Sequence, residues 1–424
     1  MIVSLIAIGL LLAMLILGVP MVAALLIAVS FNFVVGGQWA IMVPQTMVAG
    51  VSQFTLIALP LFVLAGVIMN AGGISGRLFD FARALVGWMR GGLAQVNVLT
   101  SMFFGGMIGS STADLAGSGS IVIPAMKREG YSSEISASVS ASSSGIGPLI
   151  PPSSPMILYS AVTGTSLGAL FLAGLIPGLL LGAIFMILIF VMATRRRWAR
   201  HGDLSMSEIY IKGKQAILAF GMPIIIIGGL VFGVFTPSEG GSFAVMYAIF
   251  LSMFIYRTLT LKALYRVVVT ALMMTGELMV IVSLSFALGA SLSSAHVPQA
   301  LAGVIDFFTS DSMLLRLMLL VLLAIIAGMF LDPLIPVLVP VILPTLILYE
   351  VDLLHFGVLM VLAVVIGQLT PPLAIALIIT ARIARTDQMR IFVANLPFFA
   401  AIILFTLVVI LFPQLATWLP GQMR

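Results

Sequence analysis

Apolar runs broken by a few polar points set the pattern of this chain, and three tracts, 1–76, 135–194 and 353–381, contain no Asp, Glu, Lys or Arg. Each is longer than the ~20 apolar residues a helix needs to cross hydrocarbon, so each predicts several spans punctuated by Gly and Pro. The first apolar stretch, Ile2 to Val29, lacks a basic leader and exceeds the roughly 7 to 15 apolar residues of a cleaved signal. It predicts a first permanent span. The stretch SASSSGIGPLIPPSSPM, residues 140–156, lies in apolar surroundings yet cannot form an unbroken helix. Proline removes a backbone donor, and the residue before it leaves the helical region. The pattern predicts a helix from Glu134 to Ser144, a stop at Gly145, an extended GPLIPP loop, and helix again from about Ser154. A counterpart follows later: helix from Phe356 to Gln368, the loop LTPPL, and helix from Ala374 to Ile383.

Composition places these elements in a membrane. The chain is 62% hydrophobic and 8% charged, with a mean hydropathy of +1.27, far from the roughly 25% charged content of a soluble domain. It contains no cysteine, which excludes disulfides, thiolate metal sites and cysteine nucleophiles.

The basic residues add orientation, because Lys and Arg collect in cytoplasmic loops. They form five groups: Arg77, Arg83 and Arg90; Lys127 and Arg128; Arg195, Arg196, Arg197, Arg200, Lys212 and Lys214; Arg257, Lys262 and Arg266; Arg382, Arg385 and Arg390. Only Arg316 and Arg424 fall elsewhere. With all five groups inside, the loops around Gly36, Thr163, Glu239, Asp306 to Asp311 and Glu350 to Asp352 lie outside. Arg90 and Lys127 then share a side, although the segment between them is too apolar for a loop. Leu93 to Ile108 gives only ~24 Å of helix at 1.5 Å per residue. We therefore expect a re-entrant hairpin with a non-helical tip GSSTADLAGSGS and a returning helix from Ile121 to Arg128. By the same argument 316–349 forms a second hairpin, with its tip at GMFLDPLIP, opening to the other side.

The halves also match in spacing. Asp114 precedes Tyr131 by 17 residues and Pro151-Pro152 by 37, while Asp332 precedes Tyr349 by 17 and Pro371-Pro372 by 39. The expected fold class is an all-α, polytopic, inverted-repeat membrane protein of elevator type, with two re-entrant hairpins and two broken helices. Nine full crossings place the N-terminus inside and the C-terminus outside. Residues 1–92 and 235–314 form scaffold spans and arms, 93–170 and 315–390 the hairpins and broken spans, 171–234 a scaffold span, loop and connector, and 391–424 the last span. Paired broken helices in inverted repeats are the layout of secondary transporters, with sites near the midplane.

Carbonyls freed by the broken segments, with hydroxyls nearby, suit an alkali cation, and the positive ends of half-helices suit an anion. Asp114 is the only charge between Arg90 and Lys127, and Asp332 the only one between Arg316 and Glu350. A carboxylate at mid-depth is expensive and faces the protein interior. Each aspartate either caps the returning half-helix of its hairpin, holds a cation, or does both. Glu277, inside the apolar run Val267 to Ala290, reads first as a scaffold or subunit contact and second as part of an ion or proton path. Ser136, Ser140 and Ser144 share a helix face and predict close helix packing. His201, His296 and His355 lack metal-ligand spacing, and the methionines read as apolar filling. Segments Ile74 to Arg90 and His296 to Ser312 predict interfacial amphipathic arms. A channel is disfavoured by two unlike loops within one chain, and an intramembrane enzyme by the lack of an acidic metal cluster or a nucleophile with its base.

Several motifs in order carry a family resemblance: LPLFVLAGVIMNAGGISGRLFDFARALVGWMRGGLAQVNVLTSMFFGG (59–106), the tip GSSTAD, IPAMKREGY (123–131), IGPLIPPSSPMILY (146–159), FTPSEGGSFAVMYA (235–248), DPLIPVLVPVILP (332–344), HFG (355–357) and IGQLTPP (366–372). Together they resemble the large membrane subunit of tripartite ATP-independent periplasmic (TRAP) transporters. The resemblance implies a sodium-driven elevator that imports an organic acid anion such as sialic acid, a C4-dicarboxylate or a sugar acid. It implies two or more sodium ions, a small four-helix membrane subunit, a periplasmic substrate-binding protein and a bacterial inner-membrane location, with no nucleic-acid partner. The alternative is a stand-alone sodium- or proton-coupled transporter. Sodium sites are expected on Gly109, Ser110 and Asp114 with Gly145, Gly147 and Pro148, and on Gly328 and Asp332 with Gly367 and Thr370. Substrate is expected at Ser111, Thr112, Pro151, Pro152, Ser153, Pro371 and Pro372.

Overall fold

The computed structural model describes residues 1–37, 41–196, 198, 204–309 and 312–422. Arg197, Arg200, His201, Asp311 and Arg424 lie outside the described residues. Among the described residues the fold is helical throughout, without strands. Among the described residues six helices are long and apolar enough to cross a membrane: Phe54–Ala71, Leu167–Arg195, Met206–Val231, Pro237–Ile255, Leu261–Ser294 and Gln388–Leu411.

The first predicted span is corrected. Ile2 to Val29 is not one helix but parts of two, Ile2–Ile16 and Met21–Val35. The chain turns at Gly18, whose φ is +80°, and at Pro20, which starts the second helix. The Ser4 hydroxyl donates to Asn32 Oδ1 at 3.1 Å, so the two helices run antiparallel. Uniform hydrophobicity hid a turn that needs only one glycine and one proline.

The two broken spans form as the proline pattern predicts. The first runs Ser133–Ser144, a short 3₁₀ turn Gly147–Leu149, then Ser154–Thr163. The second runs Leu353–Gln368, then Ile375–Ala384. They cross at the centre of the molecule, where a Cβ on Gly145 would sit 2.4 Å from a Val365 methyl. Ile135 through Ser144 and His355 through Gly367 are buried without exception, so these segments form the core. The serine-rich helix is held there by hydrogen bonds. Asn97 Nδ2 donates to Ser140 Oγ at 2.6 Å, Ser101 donates to Ser143 at 3.1 Å, and Ser142 donates to Asn395.

Each broken span is preceded by an arm and a hairpin. The arms are Ile74–Val86 and Val297–Thr309, each burying positions spaced three and four residues apart. The first hairpin pairs Gly92–Ile108 with a returning limb that ends at Arg128, and the second pairs Met313–Gly328 with Leu334–Leu348.

Contacts gather the five basic groups at one end of the molecule. Arg77 lies 3.9 Å over the Tyr256 ring, Arg83 pairs with Glu129 at 3.8 Å, and Arg90 reaches Thr194 at 3.4 Å. Lys212 bonds Asp80 at 2.9 Å, and Lys127 donates to the Ala384 carbonyl at 2.7 Å. The base of the second hairpin lies at the opposite end. There Arg316 pairs with Asp306 at 2.9 Å, Tyr349 donates to Asp306 at 3.0 Å, and Tyr159 donates to the Leu353 carbonyl at 2.9 Å. The bases of the two hairpins therefore lie at opposite ends of the molecule, the arrangement an inverted repeat requires.

Candidate functional site

The first hairpin turns on two residues. Gly109 adopts a left-handed conformation, φ +59°, and Ser110 is extended. Helix resumes at Ser111, so the expected non-helical tip GSSTADLAGSGS is corrected: most of it is helical, with a wide π turn at Leu115–Gly119. Its small residues serve close packing rather than a loop, since a Cβ on Gly117 would lie 3.2 Å from the Asn70 side chain. The π turn also brings the Ser118 hydroxyl to Asp114 Oδ1, 2.5 Å away.

The capping expectation fails for both aspartates. Asp114 is the fourth residue of its helix, and the cap position is Ser110. Asp332 stands before Pro333, which starts the second returning limb without a side-chain cap. Asp114 is instead a buried carboxylate with one oxygen bonded and the other, Oδ2, without a partner. The buried Ser111 hydroxyl also lacks one. A buried acceptor left unbonded is costly, and a carboxylate oxygen and a hydroxyl oxygen are both of the kind a hard cation takes.

The first break is fastened to this tip. The Ser154 N–H donates to the Gly109 carbonyl at 3.2 Å, and a Cβ on Gly109 would fall 1.7 Å from the Pro152 carbonyl oxygen. Ser153 donates to the Pro148 carbonyl at 2.5 Å and accepts from the Met156 N–H, capping the second half-helix. The second break is arranged in the same way. A Cβ on Gly367 would lie 2.5 Å from the Gly328 carbonyl, Gln368 Nε2 reaches Asp332 Oδ1 at 3.5 Å, and the Thr370 hydroxyl turns back to the Ile366 carbonyl at 2.6 Å.

Between the tips lies a cavity of about 280 Å³. The first tip contributes Ser110, Ser111, Thr112 and Ala113, and the second Asp332, Pro333, Leu334 and Ile335. The broken spans supply Pro148, Ser154, Pro155 and Gln368, and the helix Leu261–Ser294 closes one wall with Glu277 among others. Among the described residues no Lys or Arg lines it. A much smaller crevice, about 10 Å³, adjoins Asp332 and is bounded by Gly328, Gly367 and Gln368, room for about one water-sized particle.

The structure thus brings Ser110, Ser111, Thr112, Pro148 and Asp332 to one cavity. Asp114, Gly109, Gly145 and Gly147 are packed behind the first tip, and Gly328 and Gly367 beside the crevice. Pro151, Pro152, Ser153, Thr370, Pro371 and Pro372 do not line the main cavity; the first three are buried, and Pro372 is exposed. Sequence reasoning missed Asn97, Asn395 and Gln368. A lone amide inside an apolar span was the available signal.

Known proteins agree with this architecture. Residues 8–415 match the family described as tripartite ATP-independent periplasmic transporter, DctM component. The sialic acid TRAP transporter large permease SiaM of Vibrio cholerae is 35% identical, with 96% of each chain covered. The C4-dicarboxylate TRAP transporter large permease DctM of Pseudomonas aeruginosa is 35% identical over 87% of each chain. In fold, the chain is similar to the crystal structure of the Alcanivorax borkumensis YdaH transporter, with TM-score 0.61, 15% identity and 86% of each chain covered. This chain belongs to the large-permease family of TRAP transporters: it is a multi-pass bacterial membrane transport protein, not an enzyme.

Proposed function

We propose that this chain is the permease through which a small organic acid anion, a sialic acid, C4-dicarboxylate or sugar acid, enters across the bacterial inner membrane on a sodium gradient. The observation that carries the reading is the unpartnered, buried Asp114 oxygen and the unpartnered Ser111 hydroxyl, three residues apart on one helical turn at the first hairpin tip, next to a cavity that both tips reach. Among the described residues the cavity has no basic side chain, so a carboxylate entering it must be compensated by bound cations and by helix starts. Sodium at Asp114 and at Asp332 supplies the first. The N-terminal residues of Ser154–Thr163 and Leu334–Leu348 line the cavity and supply the second. The hairpins and broken spans move as one block, an elevator, past the long helices, and the arms link the two. The hairpins are re-entrant, the basic end faces the cytoplasm, and the C-terminus faces the periplasm. A small four-helix membrane subunit and a periplasmic substrate-binding protein complete the system.

The test is uptake into proteoliposomes supplied with both partners. Asp114→Ala and Asp332→Ala are each expected to abolish sodium-dependent uptake. Unchanged sodium dependence in either variant removes that carboxylate from the ion path, and uptake by the purified chain alone favours a transporter that needs no binding protein.

A further inference from the structure

Glu277 is the cavity charge that this mechanism does not use. It occupies the middle of the 34-residue helix Leu261–Ser294, ~25 Å from either end at 1.5 Å per residue. No other Asp, Glu, Lys or Arg occurs in 267–305. Met274, Glu277, Leu278 and Ile281 recur at spacings of three and four, one face of the helix, and all four line the cavity. Glu277 is exposed. Among the described residues nothing bonds or pairs with it. A carboxylate at mid-depth is expensive enough to need a role, and on this wall the available role is toward whatever fills the cavity.

An anionic cargo has one end held by sodium and the helix starts on the hairpin side. Its other end then meets Glu277. We infer that Glu277 is a specificity-determining residue: it accepts hydrogen bonds from hydroxyl or ammonium groups at the far end of a monocarboxylate and repels a second carboxylate placed there. A site built for donors rejects a ligand that lacks them, and a fixed negative charge discriminates further by like-charge repulsion. The cargo class is therefore a hydroxylated or amino monoacid of the sugar-acid type rather than a C4-dicarboxylate. This rests on the organic-anion reading above.

The test uses the permease with its membrane partner in lipid nanodiscs containing sodium chloride. The rise in unfolding midpoint is titrated with gluconate and with succinate to give an apparent affinity for each. The native protein is expected to bind gluconate at least tenfold more tightly than succinate. Glu277→Gln is expected to lower that ratio tenfold or more while gluconate binding stays sodium-dependent, and Glu277→Asp to keep the preference. Should Glu277→Gln fail to fold, Glu277→Ala is the second variant and carries the same expectation. A ratio unchanged by the substitution, or a native preference for succinate, overturns the inference. If neither acid shifts the midpoint in sodium, the organic-anion reading itself fails.

Discussion

At Gly109 the backbone leaves no room for a side chain. Its φ is +59° and a Cβ would overlap the Pro152 carbonyl, 1.7 Å away. Neither partner can yield cheaply, because both are main chain and are joined by the Ser154 to Gly109 hydrogen bond. Gly109→Ala is expected to destabilise the protein by about 2 kcal/mol or more, the scale of a forced overpacking, read as a lowered unfolding midpoint in nanodiscs. Gly106→Ala is the control. A Cβ there meets Pro223 at 3.4 Å, ordinary contact, so its midpoint should stay near the native value. The same scale explains why the serine-rich helix 133–144 tolerates burial: Asn97 and Asn395 bond its hydroxyls, which would otherwise each cost about 1 to 3 kcal/mol as unsatisfied groups.

At the scale of elements, the hairpins are defined by how little loop they need. Two residues, Gly109 and Ser110, turn the first one, and the rest of the tip is helix presenting Ser111, Thr112 and Ala113 to the cavity. The first break presents only its two ends to the cavity, Pro148 and Ser154–Pro155, and buries 151–153 beneath the tip. The chain contains no native cysteine, so single cysteines report this difference directly. Thr112→Cys is expected to react with a small aqueous thiol reagent in membrane vesicles and to be protected by sodium plus cargo. Ser153→Cys should stay unreactive under both conditions. Equal labelling at the two positions contradicts the assignment of the cavity.

At the scale of the whole molecule, two hairpins based at opposite ends bring their tips to one cavity, with the broken spans crossing behind them at Gly145 and Val365. In the elevator motion proposed above, the core moves past the long helices and exposes this one cavity to either side, with no change inside the site. If two sodium ions accompany a monoanion, each cycle carries one positive charge inward, worth about 2.3 kcal/mol per 100 mV. An inside-negative potential imposed on proteoliposomes at fixed sodium gradient is therefore expected to accelerate uptake several-fold. A rate indifferent to potential excludes that stoichiometry.

The sequence by itself determined the class, the two broken spans, the short amphipathic helices Ile74–Val86 and Val297–Thr309, and the opposite placement of the two hairpin bases. Those follow from local causes: apolar length, proline and glycine chemistry, and the placement of Lys and Arg. It also picked out Asp114 and Asp332, because a carboxylate in an apolar run is conspicuous. Only the tertiary structure decided that Ile2 to Val29 folds back on itself, that the glycine-rich tip is helical, and that neither aspartate is a cap. It also decided that Gln368 answers Asp332, and that Glu277 lines the same cavity as residues more than a hundred positions away. Each of these depends on what approaches from elsewhere in the chain. Serine and glycine read alike in a loop and in a tight helix contact, and only the partner's distance tells the two apart.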